Sequence, residues 1–188
     1  MKKYEFTGET KQVELLFRTA TLHRIRAVVE FGLVKVGDLG GWIEKEENLS
    51  HEGKAWVCGD AEVWGNAKVC GDAKVWGNAK VWGNAKVWGN AEVWGNAEVF
   101  SASHVLVIGA IGSRNDFTTF YRDKDGEITV KCGCFLGKID KFLEKVTATH
   151  GNSKYALVYR AAVEVAKLQI DLSGEAPEKE EREDEGNE

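Results

Sequence analysis

AKVWGNAKVWGNAKVWGNAEVWGNAEVF, residues 73–100, repeats nearly the same six letters and sets an aromatic residue into every copy. Extended in register, the pattern fills ten hexads from Gly53 to Gly112. Glycine stands at every sixth position from Gly53 to Gly95, followed by Ser101 and Val107. Small residues run from Ala55 to Ala97, then Ser103 and Gly109. A third column runs from Val57 through Val99 to Val105 and Ile111.

A period of six excludes an amphipathic helix, because a 3.6-residue turn would spread the valines around every face. Within each hexad, Ala and Val are two residues apart and share one side of a short strand. The Gly-Asn or Gly-Asp pair that follows supplies a corner, since both residue types tolerate backbone angles that a β-branched residue resists. Three strands and three corners close one triangular coil of eighteen residues, so the ten hexads wind about 3.3 coils of a parallel β-helix with Ala and Val inside.

This spacing resembles the hexapeptide-repeat family, and that resemblance implies a left-handed winding, against the usual right-handed crossover rule. The segment RIRAVVEFGLVKVGDLGGWIEKEENLSHEGKAWV, residues 24–57, is similar to the lead-in of YdcK-like hexapeptide proteins. That group is often labelled as acetyltransferases and is frequent in phage and prophage genomes. Together the resemblances cover residues 24–112. They imply a homotrimer, and for the acyltransferases of the family a histidine base beside an acyl-coenzyme A held between subunits.

Adding eighteen to each outward position gives one aromatic column per face. The first carries Cys58, Trp76 and Trp94 beside Trp56, Lys74 and Glu92. The second carries Trp64, Trp82 and Phe100 beside Glu62, Lys80 and Glu98. The third carries Cys70, Trp88 and Leu106 beside Lys68, Lys86 and His104. Rings one coil apart, ~4.8 Å, stack and add roughly 0.2–1 kcal/mol per pair. Two adjacent columns still expose as much apolar surface as a monomer normally shows. Neighbouring copies in a trimer, the terminal segments of the chain, or a partner must therefore cover them. Trimer packing on at least one face, with another left for a ligand or protein, is the expectation.

Residues 1–52 read as an N-terminal β cap, with KYEF, VELLFRT and HRIRAVVEF as strands and with Trp42, Ile43 and Leu49 covering the first coil. Residues 53–112 are the β-helix. Residues 113–172 form a small α+β (ββαα) unit: two strands around the Asp125-Gly126 turn, then two helices with apolar stripes at Ile139, Phe142, Leu143 and Val146 and at Tyr155, Tyr159, Val163, Ala166 and Ile170. Residues 173–188 form an acidic tail. Its last fourteen residues hold eight acids against two bases, which is −6 of the net −5 and leaves +1 for everything before. Such a composition favours disorder.

A nearly neutral body without a basic stripe argues against nucleic acid as a partner. The opening MKKYEFTGET lacks the pattern of a secretion signal and no apolar run reaches the roughly 20 residues of a membrane span, so a cytosolic setting is expected. Four cysteines are too few for a disulfide framework. Cys132, Cys134 and His150 make an incomplete metal set, and no metal or cofactor is expected.

His104 is the one histidine on the repeat, facing outward, and is the base only if the protein is an acyltransferase. Ten uninterrupted hexads leave no catalytic loop, and fold alone does not establish activity. The reading is therefore a non-catalytic protein of phage or prophage type that engages a host protein, with inhibition of a bacterial defence system as one purpose. Its binding residues are Trp64, Trp76, Trp82, Trp88, Trp94 and Phe100, together with Arg114, Asn115 and Asp116 where the β-helix is expected to end. A nucleotide-like ligand stacked on the indoles, with Arg114 or the lysines on its phosphate, is the remaining alternative.

Overall fold

The structure is a computed structural model that describes residues 1–15 and 18–173; from residue 174 on, the acidic tail lies outside the described residues, as do Leu16 and Phe17 of one expected strand. The chain opens with a long hairpin, β1 (Tyr4–Leu15) and β2 (Arg18–Ala27), followed by β3 (Leu39–Ile43). Eight two-residue strands then carry the repeat: β4 (Trp56–Val57), β5 (Glu62–Val63), β6 (Lys68–Val69), β7 (Lys74–Val75), β8 (Lys80–Val81), β9 (Lys86–Val87), β10 (Glu92–Val93) and β11 (Glu98–Val99).

These eight stack in parallel and in register, eighteen residues apart, as β4-β7-β10, β5-β8-β11 and β6-β9, giving a β-solenoid of about three turns. Every Ala from Ala55 to Ala97 and every Val from Val57 to Val99 in the two inner columns is buried. Corner glycines take the left-handed backbone the turn demands. At Gly71, φ is +72° and a Cβ would lie 3.0 Å from the Gly89 nitrogen of the next coil. A side chain there is strained and crowded.

The solenoid starts earlier than the hexads do. Ile43 pairs with Val63 and Leu49 with Val69, each a step of twenty residues, so Ile43 and Leu49 are themselves core residues of the first coil. It also stops earlier. The last two hexads leave the prism, because Ser101 and Val107 replace the corner glycines. Ser101 keeps an extended backbone at φ −131° and caps a short turn over Ala102–His104, accepting from the Ser103 N–H. The apolar run that follows forms β12 (Val105–Ile111), which pairs antiparallel with β13 (Asp116–Arg122).

After β13 come β14 (Ile128–Cys132), β15 (Phe135–Lys138), α1 (Ile139–His150) and α2 (Lys154–Gln169). The two strands around Asp125-Gly126 and the two helices match the expectation from sequence, with β12 and β15 completing a four-stranded sheet. Phe142, Val146, Tyr159, Val163, Ala166 and Ile170 pack on Phe120, Ile128 and Val130 of that sheet. Among the described residues no helix is long and apolar enough to cross a membrane.

A tyrosine plugs each end of the prism. At the top, Tyr4 is buried in the core and its hydroxyl donates to the Leu49 carbonyl at 2.8 Å. At the bottom, Tyr121 does the same and donates to the Trp94 carbonyl at 3.1 Å. Lys3 finishes the upper seal: its Nζ lies 2.8 Å from the Ala55 carbonyl and 4.9 Å from the Phe31 ring centroid. Burial pushes the Lys3 amine down to about 8, with Asp72 opposing. The unfolded chain therefore binds the extra proton between pH 8 and 10.5, and this group's contribution to stability rises with pH across that window. Relative to Lys3→Met, the wild type is expected to gain stability from pH 8 to 10.5, read as the difference between urea midpoints; a constant difference would contradict it.

Candidate binding groove

The three outer faces, alike in sequence, are covered differently. On the second face the hairpin lies across the aromatic column: Ala20 and Leu22 of β2, with Val13 and Leu15 of β1, pack on Trp64, Trp82 and Phe100. Trp64 and Trp82 stack at 5.0 Å and nearly parallel, and only 2% and 8% of their surfaces remain exposed. Lys11 bridges Glu62 at 2.8 Å and Arg18 pairs with Glu44, whose carboxylate also accepts the Gly65 N–H. Of the candidate covers for the indoles, the terminal segment of the chain itself occupies this face, and Trp64 and Trp82 are not available to a partner. Phe100 is half-buried below them, between Trp82 and His104.

The first face is a groove of about 1080 Å³. Trp76 and Trp94 form its floor, with ring centroids 4.9 Å apart and tilted by 38°. Trp76 is 44% exposed. Trp56, one coil above, is buried against Tyr4 and Phe31 instead of facing outward. The upper wall is Leu33 of the β2–β3 connection and Leu39 at the start of β3, both exposed; the lower wall is Asp116 and Phe117 of β13 with Lys131 of β14.

Each lysine that lines the groove has an acidic partner. Glu92 bridges Lys74 at 3.2 Å and Lys131 at 3.3 Å, and Lys54 faces Asp72 at 3.8 Å. The Lys131 ammonium lies 4.6 Å from the Trp94 ring centroid, and the Trp94 indole nitrogen is buried without an acceptor. Asp116 accepts the Phe117 N–H at 2.8 Å. Cys58 opens toward the same space, but burial pushes its thiol up to about 11 despite Lys74 nearby, so it stays protonated and a poor nucleophile at neutral pH.

The third face is open. Trp88 is 68% exposed, and Lys68 and Lys86, directly opposite each other in register, are both exposed.

His104 does not face outward. It is 2% exposed, its ring meets Phe100 edge-on at 4.3 Å, and Nδ1 accepts the Phe100 N–H at 3.3 Å. Burial first, and then the nearby Arg122 charge, holds its pKa below the ordinary histidine value, with Asp171 opposing. The chain leaves the prism at this residue, so the side chain that would sit on an outer face is folded into the joint. A neutral, enclosed imidazole that does not line the groove is a packing residue.

The Arg114-Asn115-Asp116 segment lies at the tip of the β12–β13 hairpin and not on the last coil, because the solenoid has already ended. Asn115 takes φ 51° in that turn, and the Arg114 guanidinium lies beside Gly133. Of the three, only Asp116 reaches the groove. Cys132 receives the Thr118 hydroxyl at 3.3 Å, whereas Cys134 is exposed in the turn after β14. His150 stacks on Tyr159 with ring centroids 5.8 Å apart, and no cluster of three or more His, Cys, Asp or Glu fit to hold a metal occurs among the described residues.

The sequence carries no signal that places the groove walls. Leu33 and Leu39 lie in FGLVKVGDLGG, where apolar residues between glycines signal an exposed loop but carry no period to say which face they meet. No protein-family model matches the chain, and a search of the curated proteins finds no match either.

Proposed function

We propose that the protein is a non-catalytic binding protein that holds a segment of a protein partner in the first-face groove. The observation carrying this is the floor itself: an exposed indole, Trp76, beside Trp94 and rimmed by Leu33, Leu39 and Phe117, in a space whose lysines already have acidic partners. Aromatic anchors ringed by polar groups are the composition of binding hot spots. An anionic ligand would have to displace Glu92 and Asp72 first, which weighs against coenzyme A or a nucleotide in this space. Acyl transfer also lacks a base here, since His104 is enclosed elsewhere and the Cys58 thiol is protonated.

A phage-type role against a host protein, including inhibition of a bacterial defence system, rests on the resemblance of residues 24–112 to phage-frequent hexapeptide proteins. A homotrimer rests on the same resemblance and on the surface of Trp76 and Trp88, the second column being covered within the chain.

Capture from bacterial lysate, followed by purification of the captured protein, tests the reading. Trp76→Ala is expected to weaken its binding by at least tenfold, as truncating a central aromatic anchor does. Equal binding by wild type and variant would remove the groove from the interface. Saturable quenching of tryptophan fluorescence by acetyl-coenzyme A or a cyclic nucleotide at micromolar concentration would replace the reading by the corresponding ligand.

A further inference from the structure

Helix α2 is apolar on two sides. Its inner side, Ala156, Tyr159, Ala162, Val163 and Ala166, is buried in the core it shares with the sheet and α1. Its outer side carries Leu157, Val158, Ala161, Val165 and Leu168, all exposed, with Leu168 at 89% and Leu157 at 59%. The five lie within Lys154–Gln169, where the helix is continuous. At 3.6 residues per turn they share one sector of about 100°, on the side away from the buried residues. Between Leu157 and Leu168 no charged residue falls inside that sector. A helix apolar on both sides is ordinarily covered on both.

The spacing on the outer side says what covers it. Val158, Ala161, Val165 and Leu168 step by three, four and three residues, the alternation of a helix-to-helix seam. Such a seam is complementary to itself, so a second copy of the chain fits it about a two-fold axis. At the observed exposures the sector presents on the order of 400 Å² of apolar surface, as much as the largest patch of a typical monomer. Two copies face to face, with the usual polar rim, bury about 1,300 Å² in total, above the roughly 1,000 Å² that a specific interface needs.

The charges choose the direction. Lys154 continues the seam at its N-terminal end, four residues before Val158, and in a parallel pair it would meet its own copy. In an antiparallel pair that sets Val158 against Leu168 and Ala161 against Val165, the two lysines lie about 27 Å apart. Each then stands at the C-terminal end of the opposite helix, where unpaired carbonyls attract a cation. Glu164 borders the seam near the axis and already has Lys167 of its own helix at 2.9 Å.

We propose that two copies of the chain associate through the outer side of α2, packed antiparallel about a two-fold axis. The contact uses the C-terminal unit alone. It leaves the first-face groove open, so a pair of copies presents two grooves to a partner, and it is independent of any contact between the solenoids.

Light scattering at about 0.1 mM, above the micromolar range in which interfaces of this size dissociate, tests it. Leu168→Glu is expected to halve the molar mass of the wild type while leaving the circular dichroism unchanged, because Leu168 is exposed within one copy. Lys154→Glu should raise the dissociation constant at least threefold. Orientation is read from disulfides in a Cys134→Ser background, which removes the exposed native thiol. Val158→Cys chains mixed with Leu168→Cys chains should cross-link, and neither alone should. A wild type of monomer mass, or one whose mass Leu168→Glu leaves unchanged, overturns the proposal. So does a disulfide formed by Leu168→Cys chains alone, which only a parallel pair or another contact would give.

Discussion

Trp82→Ala is expected to cost about 3–5 kcal/mol of unfolding free energy, while Trp88→Ala, one hexad later, costs under about 1 kcal/mol. Both tryptophans stand in the same letters, AKVWGN. Trp82 is sandwiched between Trp64 and Phe100, each with centroids 5.0 Å away, and roofed by Ala20 and Leu22. Removing it leaves a cavity that the hairpin and the rigid coils can only partly close. Trp88 has no such roof among the described residues, so its loss opens no cavity. Against a total stability of about 5–15 kcal/mol, the first change is a large fraction of the whole. Urea unfolding of both variants decides it, and equal losses would mean that the hairpin does not lie on the second face in solution.

An even larger contrast is expected between two adjacent residues. Val87→Asp sets a carboxylate among Val69, Ala85 and the other methyl groups of the core, with no donor to meet it, and is expected to cost on the order of 4 kcal/mol or more. Far-UV circular dichroism should show most of the regular structure lost at room temperature. Lys86→Asp changes the neighbouring position by the same substituted residue, but on the outside and opposite Lys68, where it replaces repulsion by attraction. Its effect should stay within about 0.5 kcal/mol and favour the folded state. A folded Val87→Asp protein with unchanged unfolding behaviour would contradict the inward orientation of the valine column.

The site was legible only in part. Trp76 and Trp94 are legible as neighbours on one face, because a step of eighteen residues fixes their stacking without reference to anything else. His104 departs from its expected outward position, since a column position is meaningful only while the coil continues, and the coil ends where Ser101 and Val107 replace corner glycines. Arg114 and Asn115 fell with the same boundary, moving from the end of the prism to the tip of a hairpin. Lys131 and Phe117 entered the groove unannounced, as both come from a sheet whose docking side has no local signature.

The sequence by itself determined the prism. A two-residue strand, an i, i+2 pair of inward side chains and a glycine corner are each local choices, and repeating them every six residues leaves one way to bury Ala and Val. Only the tertiary structure decided what the indoles became: filler under a hairpin at Trp64 and Trp82, a groove floor at Trp76 and Trp94, an open ring at Trp88. The hexads are blind to this difference because the Trp-bearing copies are nearly identical on all three faces. Coverage comes from flanking segments that carry no period, and their placement follows from which long-range packing buries the most apolar surface.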